Sequence, residues 1–409
     1  MKRRFRRTGL ALALLGLALL AGWGLWALLA DSDGGQVQAT LSAVGAIAGS
    51  DTAGYARATA PRPFEFPRDH GPHPEYRTEW WYLTGNLDGP QGRRLAYQLT
   101  FFRNSLAPEP AGRASNWDTN QFWMAHLAVT DVEGDRHFVS ERLARGAVGL
   151  AGGRASPFRV WLEDWEMRWT GSEELDAGPA PGLFPLELRA LEEDWGIELV
   201  LEAGKPPVFQ GEEGWSQKGS EPGNASYYVS FTRMPTRGRI HLGGEPVEVE
   251  GESWMDREWS TSALDEIHLG WDWFSLQLDD EREIMFFELR REDGEPETLN
   301  HGTLVAPDGS YRPLHYDEVE IDVLGRWRSP LDGAEYPSGW RFRIPGEGVD
   351  LEVFPVLEDQ EMNVSVRYWE GAVDVSGKGV DGPVAGRGFV ELTGYGETPA
   401  VEGGSRGQR

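Results

Sequence analysis

Cysteine is absent from the 409-residue chain. Its absence excludes disulfides, thiolate zinc sites, a cysteine nucleophile and a lipidated cysteine. Positive charge is scarce: 39 Lys and Arg against 66 Asp and Glu leave a net charge of −27. Binding to phosphate backbones needs a basic stripe and none is visible, so nucleic acid is excluded as a partner. The acidity suits the solubility of an exported protein instead. Long helical periods are missing too, for no window from 60 to 400 carries an amphipathic helix. Nor is there a Walker loop or a His-Glu-x-x-His pair. Gly214-Trp215-Ser216 and Glu252-Ser253-Trp254 lack the flanking glycines of a nucleophile elbow, so Ser-His-Asp hydrolysis has no local signal.

Tryptophan, by contrast, is abundant, with 18 in the chain. Such a content suits aromatic-lined cores or an apolar ligand cavity, and equally the aromatic strands of an all-β protein. At the N-terminus, Lys2 to Arg7 is basic and Gly9 to Ala30 is an uncharged Leu/Ala-rich run. At 1.5 Å per residue this run spans a hydrocarbon core of roughly 30 Å. The basic flank stays cytoplasmic, so the remainder is exported, anchored in the membrane or secreted, and faces the periplasm or the exterior. Leu28 spoils a small-x-small cleavage site after Ala30, which favours an uncleaved anchor. Residues 31–60 read as a flexible linker rich in Gly, Ala, Ser and Thr.

Beyond residue 75, short aromatic or alternating runs are separated by turn signals, which predicts an all-β fold of barrels or sandwiches. One internal match divides it. Trp80-Trp81-Tyr82-Leu83-Thr84-Gly85-Asn86-Leu87-Asp88 aligns without a gap to Trp271-Asp272-Trp273-Phe274-Ser275-Leu276-Gln277-Leu278-Asp279. A charged turn and a second aromatic strand follow each copy, so the sequence predicts a duplication. The expected units are 61–235 and 236–398, divided where Arg233-Met234-Pro235-Thr236-Arg237-Gly238 interrupts the strand pattern, with a tail at 399–409.

Three constellations are candidates for chemistry. Asp69 to Trp81 gathers His70, His73, Glu75 and Glu79. Its prolines and glycine make it a leading loop whose spacing fixes no metal geometry, and Arg77 and Glu79 are expected to pair at a barrel rim. Gly251 to Trp259 places Asp256 among large aromatics. A carboxyl in such a pocket has its pKa raised by desolvation and can act as a general acid; alternatively Asp256 pairs with Arg257 and holds a loop. In His268 to Phe274, Trp271 and Trp273 share one face of a strand and Asp272 the other. The two indoles either line a cavity, where they can stabilise a cation, or fill a core. His126, mid-strand, reads as a satisfied core histidine.

The string His-Gly-Pro-His-Pro-Glu-Tyr-Arg-Thr-Glu-Trp-Trp-Tyr-Leu-Thr-Gly-Asn-Leu at 70–87 resembles the opening of the carotenoid 1,2-hydratase (hydroxyneurosporene synthase)-like family, which includes bacterial secreted proteins of AttH type. Met124-Ala125-His126, Trp254 to Trp259 and Gly270 to Phe274 are similar to it as well, and the resemblance covers about 64–398. It implies two consecutive lipocalin-like β-barrel domains, and water addition to an isoprenoid double bond through a tertiary carbocation, without a cofactor. Carried onto this sequence, Asp256 would donate the proton, and Asp272 or His268 would position water. Trp254, Trp271 and Trp273 would stabilise the cation, and Trp259, Trp81, Tyr82 and His126 would contact substrate. Arg257 departs from the hydratases, which carry His after the acid. Three readings follow. One is a hydratase or hydrolase acting on an apolar isoprenoid or lipid. The second is a non-catalytic carrier that hands such a molecule to an envelope transporter. The third is a structural envelope protein with a filled interior.

Overall fold

The structure is a computed structural model that describes residues 52–396, apart from 111, 113, 114, 173–177, 179, 263 and 266. The expected membrane segment and the tail lie outside the described residues. Among these residues no helix is long and apolar enough to cross a membrane. Residues 52–60, expected as linker, pack on the first sheet. Ala58 is buried, Tyr55 donates to the Ser105 carbonyl, and Arg57 reaches Asn224 and Ser262.

Antiparallel strands form two large sheets. The first runs, from edge to centre, through Arg136–Arg145, Gln121–Asp131, Arg94–Ser105, Thr78–Asp88, Glu245–Ser260, Ala225–Leu242 and Trp195–Leu201, then on through shorter strands. The second runs through Tyr311–His315, His301–Val305, Glu283–Arg291, His268–Leu278, Gly382–Thr393, Tyr368–Gly379 and Val349–Pro355. The succession of neighbours is the same in both. The first curls into a nearly closed barrel and the second into a half-barrel, so the fold is two consecutive lipocalin-like barrels.

The aligned hairpins occupy equivalent register positions. Trp80 faces Phe102 as Trp271 faces Leu289, and Tyr82 faces Thr100 as Trp273 faces Phe287. On the return strands Tyr82 faces Asp256 as Trp273 faces Glu391. The expected boundary at 235/236, however, falls inside a strand. Ala225–Leu242 continues through it, with a register shift between Phe231 and Met234 and with Pro235 paired opposite Glu252. The chain changes sheet between Ser260 and His268.

Each barrel has its own apolar core. Trp81, Leu83, Leu99, Phe101, Leu127 and Trp165 belong to the first core, and Phe274, Leu276, Phe286, Trp340 and Trp369 to the second. The alternate positions of the central strands, including Tyr82, Trp254, Trp273, Met285 and Phe287, form a separate cluster between the barrels. These strands are therefore buried on both faces, which is why Trp80 to Leu87 lacks polar alternation.

Candidate active site

A cavity opens in the seam between the two barrels, on the faces of the sheets that look away from their own cores. It holds about 1090 Å³ of empty space with its mouth included. Trp80, Tyr82, Phe102 and Tyr228 wall it from the first barrel, and Trp271, Trp273, Phe287 and Tyr368 from the second. Four carboxyls converge on this aromatic box: Asp256, Glu258, Glu370 and Glu391.

Asp256 is 3% exposed. Its Oδ1 accepts from the Trp254 indole N–H at 2.7 Å and from the Ser230 hydroxyl at 2.6 Å, and its Oδ2 accepts from Tyr228. Tyr228 in turn accepts from the Trp273 indole at 3.1 Å. Burial pushes the Asp256 carboxyl up to about 7, against the pull of the Ser230, Tyr228 and Trp254 bonds and with help from the nearby Glu258 charge. Near neutral pH this side chain is divided between acid and carboxylate, which is the condition a general acid needs.

Glu370 and Glu391 face each other directly on neighbouring strands. Burial pushes Glu391 up to about 8, with Asp256 and Glu258 adding to the rise and the Trp271 indole opposing it. Burial and Glu391 together drive Glu370 well above the ordinary glutamate range. Tyr82 donates to one Glu370 oxygen at 2.6 Å, and the other has no hydrogen-bond partner. Two desolvated carboxyls in this position do not both ionise. Glu258 instead pairs with Lys218, whose ammonium stands 5.2 Å over the Tyr228 ring and 5.5 Å over that of Phe287. His126 is fully buried on the wall, its Nδ1 at 2.8 Å from the Tyr368 hydroxyl and its Nε2 at 3.0 Å from Glu141.

The residues expected from sequence are thus divided. Asp256, Tyr82, Trp271, Trp273 and His126 line the cavity, and Trp254 supports it from behind Asp256. Asp272 points to the other face of its strand, where it accepts from Arg290 at 2.9 Å and Tyr395 at 2.8 Å. His268 is held between Glu297 and the Asp265 backbone, away from the cavity. Trp81 lies in the first core, its indole N–H on the His70 carbonyl. Trp259 stacks on His73 at 3.9 Å in a different cluster.

The Asp256–Arg257 pair does not form either, because successive strand residues face opposite ways. Arg257 and Arg103 both donate to the buried Glu79, so Glu79 has no need of Arg77. Among the described residues, no group of three or more His, Asp or Glu is arranged to hold a metal ion. Sequence reasoning missed Tyr228, Ser230, Glu258, Glu370, Glu391, Lys218 and Tyr368. The repeat carried a usable signal for one of them, since extending it to the return strands sets Glu391 at the position equivalent to Asp256.

A family model described as AttH-like matches residues 57–395. Among solved structures, a Nitrosomonas europaea protein described as AttH is 32% identical, with a TM-score of 0.71 over 83% of this chain and 99% of that one. Kievitone hydratase from Nectria haematococca is 16% identical, with a TM-score of 0.62 over 85% of this chain and 97% of its own. At that identity the likeness is one of fold. No protein of curated function matches the chain.

Proposed function

The chain belongs to the AttH-like family, and from that premise we propose that it adds water to a carbon–carbon double bond of an apolar, isoprenoid or lipid-like substrate, with Asp256 as the proton donor. The observation that carries this reading is a carboxyl held near its neutral point on the wall of an aromatic cavity. A hydratase among the structural neighbours agrees with it. The N-terminal basic flank and apolar run support a site of reaction outside the cytoplasm, on an anchored or secreted chain.

In its acid form Asp256 gives its proton to one alkene carbon, directly or through the Tyr228 hydroxyl beside it. The π electrons form the new C–H bond, and the other carbon becomes cationic. The aromatic rings of Trp273 and Tyr82 line the cavity beside the cation, and the newly formed Asp256 carboxylate adds its charge. Water then attacks the cation and sheds a proton. Because the Asp256 carboxyl is buried, its charge acts at a lower dielectric than in water. The convergent acids favour this reading over a carrier, which needs apolar walls alone.

The full chain, incubated with squalene in heavy-oxygen water, is expected to yield a product that has gained one labelled hydroxyl. Asp256→Asn is expected to slow this by about 10²–10⁴-fold. Squalene bound and returned unchanged by both proteins would make the chain a carrier. A cavity that neither binds nor alters it would remove the isoprenoid reading.

A further inference from the structure

We propose that Tyr368, His126 and Glu141 form a proton relay that takes the proton shed by the attacking water and carries it out of the seam. The inference rests on the hydration reading and supplies the base that reading lacks. The three groups stand in line: Glu141 Oε1 lies 3.0 Å from His126 Nε2, and the Tyr368 hydroxyl 2.8 Å from Nδ1. A single neutral tautomer satisfies both bonds, with Nε2–H donating to Glu141 and Nδ1 accepting from the Tyr368 O–H. This is the carboxylate–imidazole–hydroxyl order of an activated nucleophile, with a phenol at the cavity end.

Three further observations point the same way. The first is the exposure of the outer end. Tyr368 is 5% exposed and His126 0%, whereas the Glu141 side chain is 17% exposed and gives a proton a way to solvent. The second is the charge state at the outer end. Burial pushes Glu141 up, but the bonds from His126 and Ser365 outweigh it and hold the carboxyl below its ordinary value. The Tyr368 phenol is driven the other way, well above its usual range, by burial and by Glu370, Glu391 and Glu141. It therefore passes a proton on rather than ionising. The third is the contrast with the duplicate position. His301 faces Phe287 as His126 faces Thr100. Its partners are Ser216 and the Leu299 carbonyl, with no carboxylate. The relay is not a by-product of the repeated scaffold.

The step balances. As the water oxygen bonds to the cationic carbon, one of its O–H bonds breaks and that proton passes to the Tyr368 oxygen. The original Tyr368 proton moves to His126 Nδ1 in the same event, so the phenol stays neutral and an imidazolium–carboxylate pair results. The pair discharges one proton through Glu141 to solvent, and Asp256 regains one from solvent when product leaves. Tyr368 is the catalytic residue here, and His126 and Glu141 position and discharge it.

The full chain, labelled with nitrogen-15 in its histidines, tests the geometry without turnover. His126 is expected to carry its proton on Nε2, and exchange of that proton with solvent is expected to slow in Glu141→Gln. With squalene as substrate, Tyr368→Phe is expected to lower kcat by about 10²–10⁴-fold while KM stays within about twofold. A proton found on Nδ1 of His126 would overturn the relay, as would wild-type kcat and an unchanged deuterium solvent isotope effect in both variants. If wild type leaves squalene unhydrated, the function reading fails while the tautomer and exchange still decide the relay.

Discussion

The two halves of the seam begin from the same register and end with different chemistry. In the first half Asp256 is flanked by Ser230 and opposed by Tyr82, with Trp254 and Tyr228 as further donors. In the second, Glu391 is flanked by Glu370 and opposed by Trp273, and the Trp271 indole and the Tyr82 hydroxyl donate to the pair. One carboxyl among neutral donors becomes a tunable acid. Two carboxyls facing each other, with fewer donors, hold at least one proton between them. The tyrosines at equivalent positions diverge similarly: Tyr228 serves Asp256, and Tyr368 serves His126. The lesson is that duplication supplied paired positions, and the donors around each position decide its role.

The comparison of barrel interior with seam is broken most forcefully from the inside. Trp165→Ala empties part of the first core, where that side chain is fully buried, and is expected to cost about 3–5 kcal/mol in chemical denaturation. Squalene turnover by the folded fraction should not change, because the barrel core does not border the cavity. A loss of turnover beyond the unfolded fraction would tie the interior to the site.

The second prediction makes one half resemble the other. Glu370→Ser reproduces the environment that Ser230 gives Asp256. Glu391 has a folded value near 8 against 4.5 for an ordinary glutamate, so the folded protein binds this proton more tightly than the unfolded chain. Its stabilising contribution is complete below about 4.5 and is lost as pH rises through 8. Asp256 acts in the same sense between 3.8 and about 7. His137 and His301, lowered by burial from 6.5 to about 4, act oppositely below 6.5. Wild-type stability is therefore expected to fall between pH 6.5 and 8. In Glu370→Ser that fall should shrink by an amount on the order of 1–3 kcal/mol, measured by urea melts across the range. An unchanged slope would show that the two carboxyls do not share their proton load.

The smallest expected effect is that of His301→Gln, which separates the two histidines. His301→Gln is expected to leave squalene kcat within about twofold, while His126→Gln is expected to follow Tyr368→Phe downward. Equal losses in both would return His126 to the role of a core residue.

Much of this architecture was legible in the sequence. The Trp80 and Trp271 hairpins matched residue for residue, and the matching register shows why, since both face the seam with one set of side chains and their own core with the other. Asp256 was legible because Trp254, two residues away and on the same strand face, is one of the aromatic groups around it. Asp272 was misplaced as a candidate although strand alternation already turned it away from Trp271 and Trp273. Tyr228, Glu370 and Glu141 were not legible. Each sits in an unremarkable strand, and only pairing across distant segments brings them together, as with Tyr82 and Glu370, 288 residues apart. The boundary at Pro235 failed for the opposite reason: a proline that reads as a break can sit within a long strand.

A cavity walled by both barrels has a mechanical meaning. Neither barrel owns it, so any occupant touches both and acts as a rivet between them. Its binding free energy adds to the cohesion that Tyr82–Glu370, Asn86–Gly388 and Lys205–Glu283 already provide across the joint. A ligand bound there at 100 times its Kd would raise the resistance of the joined pair to unfolding by about 2.7 kcal/mol.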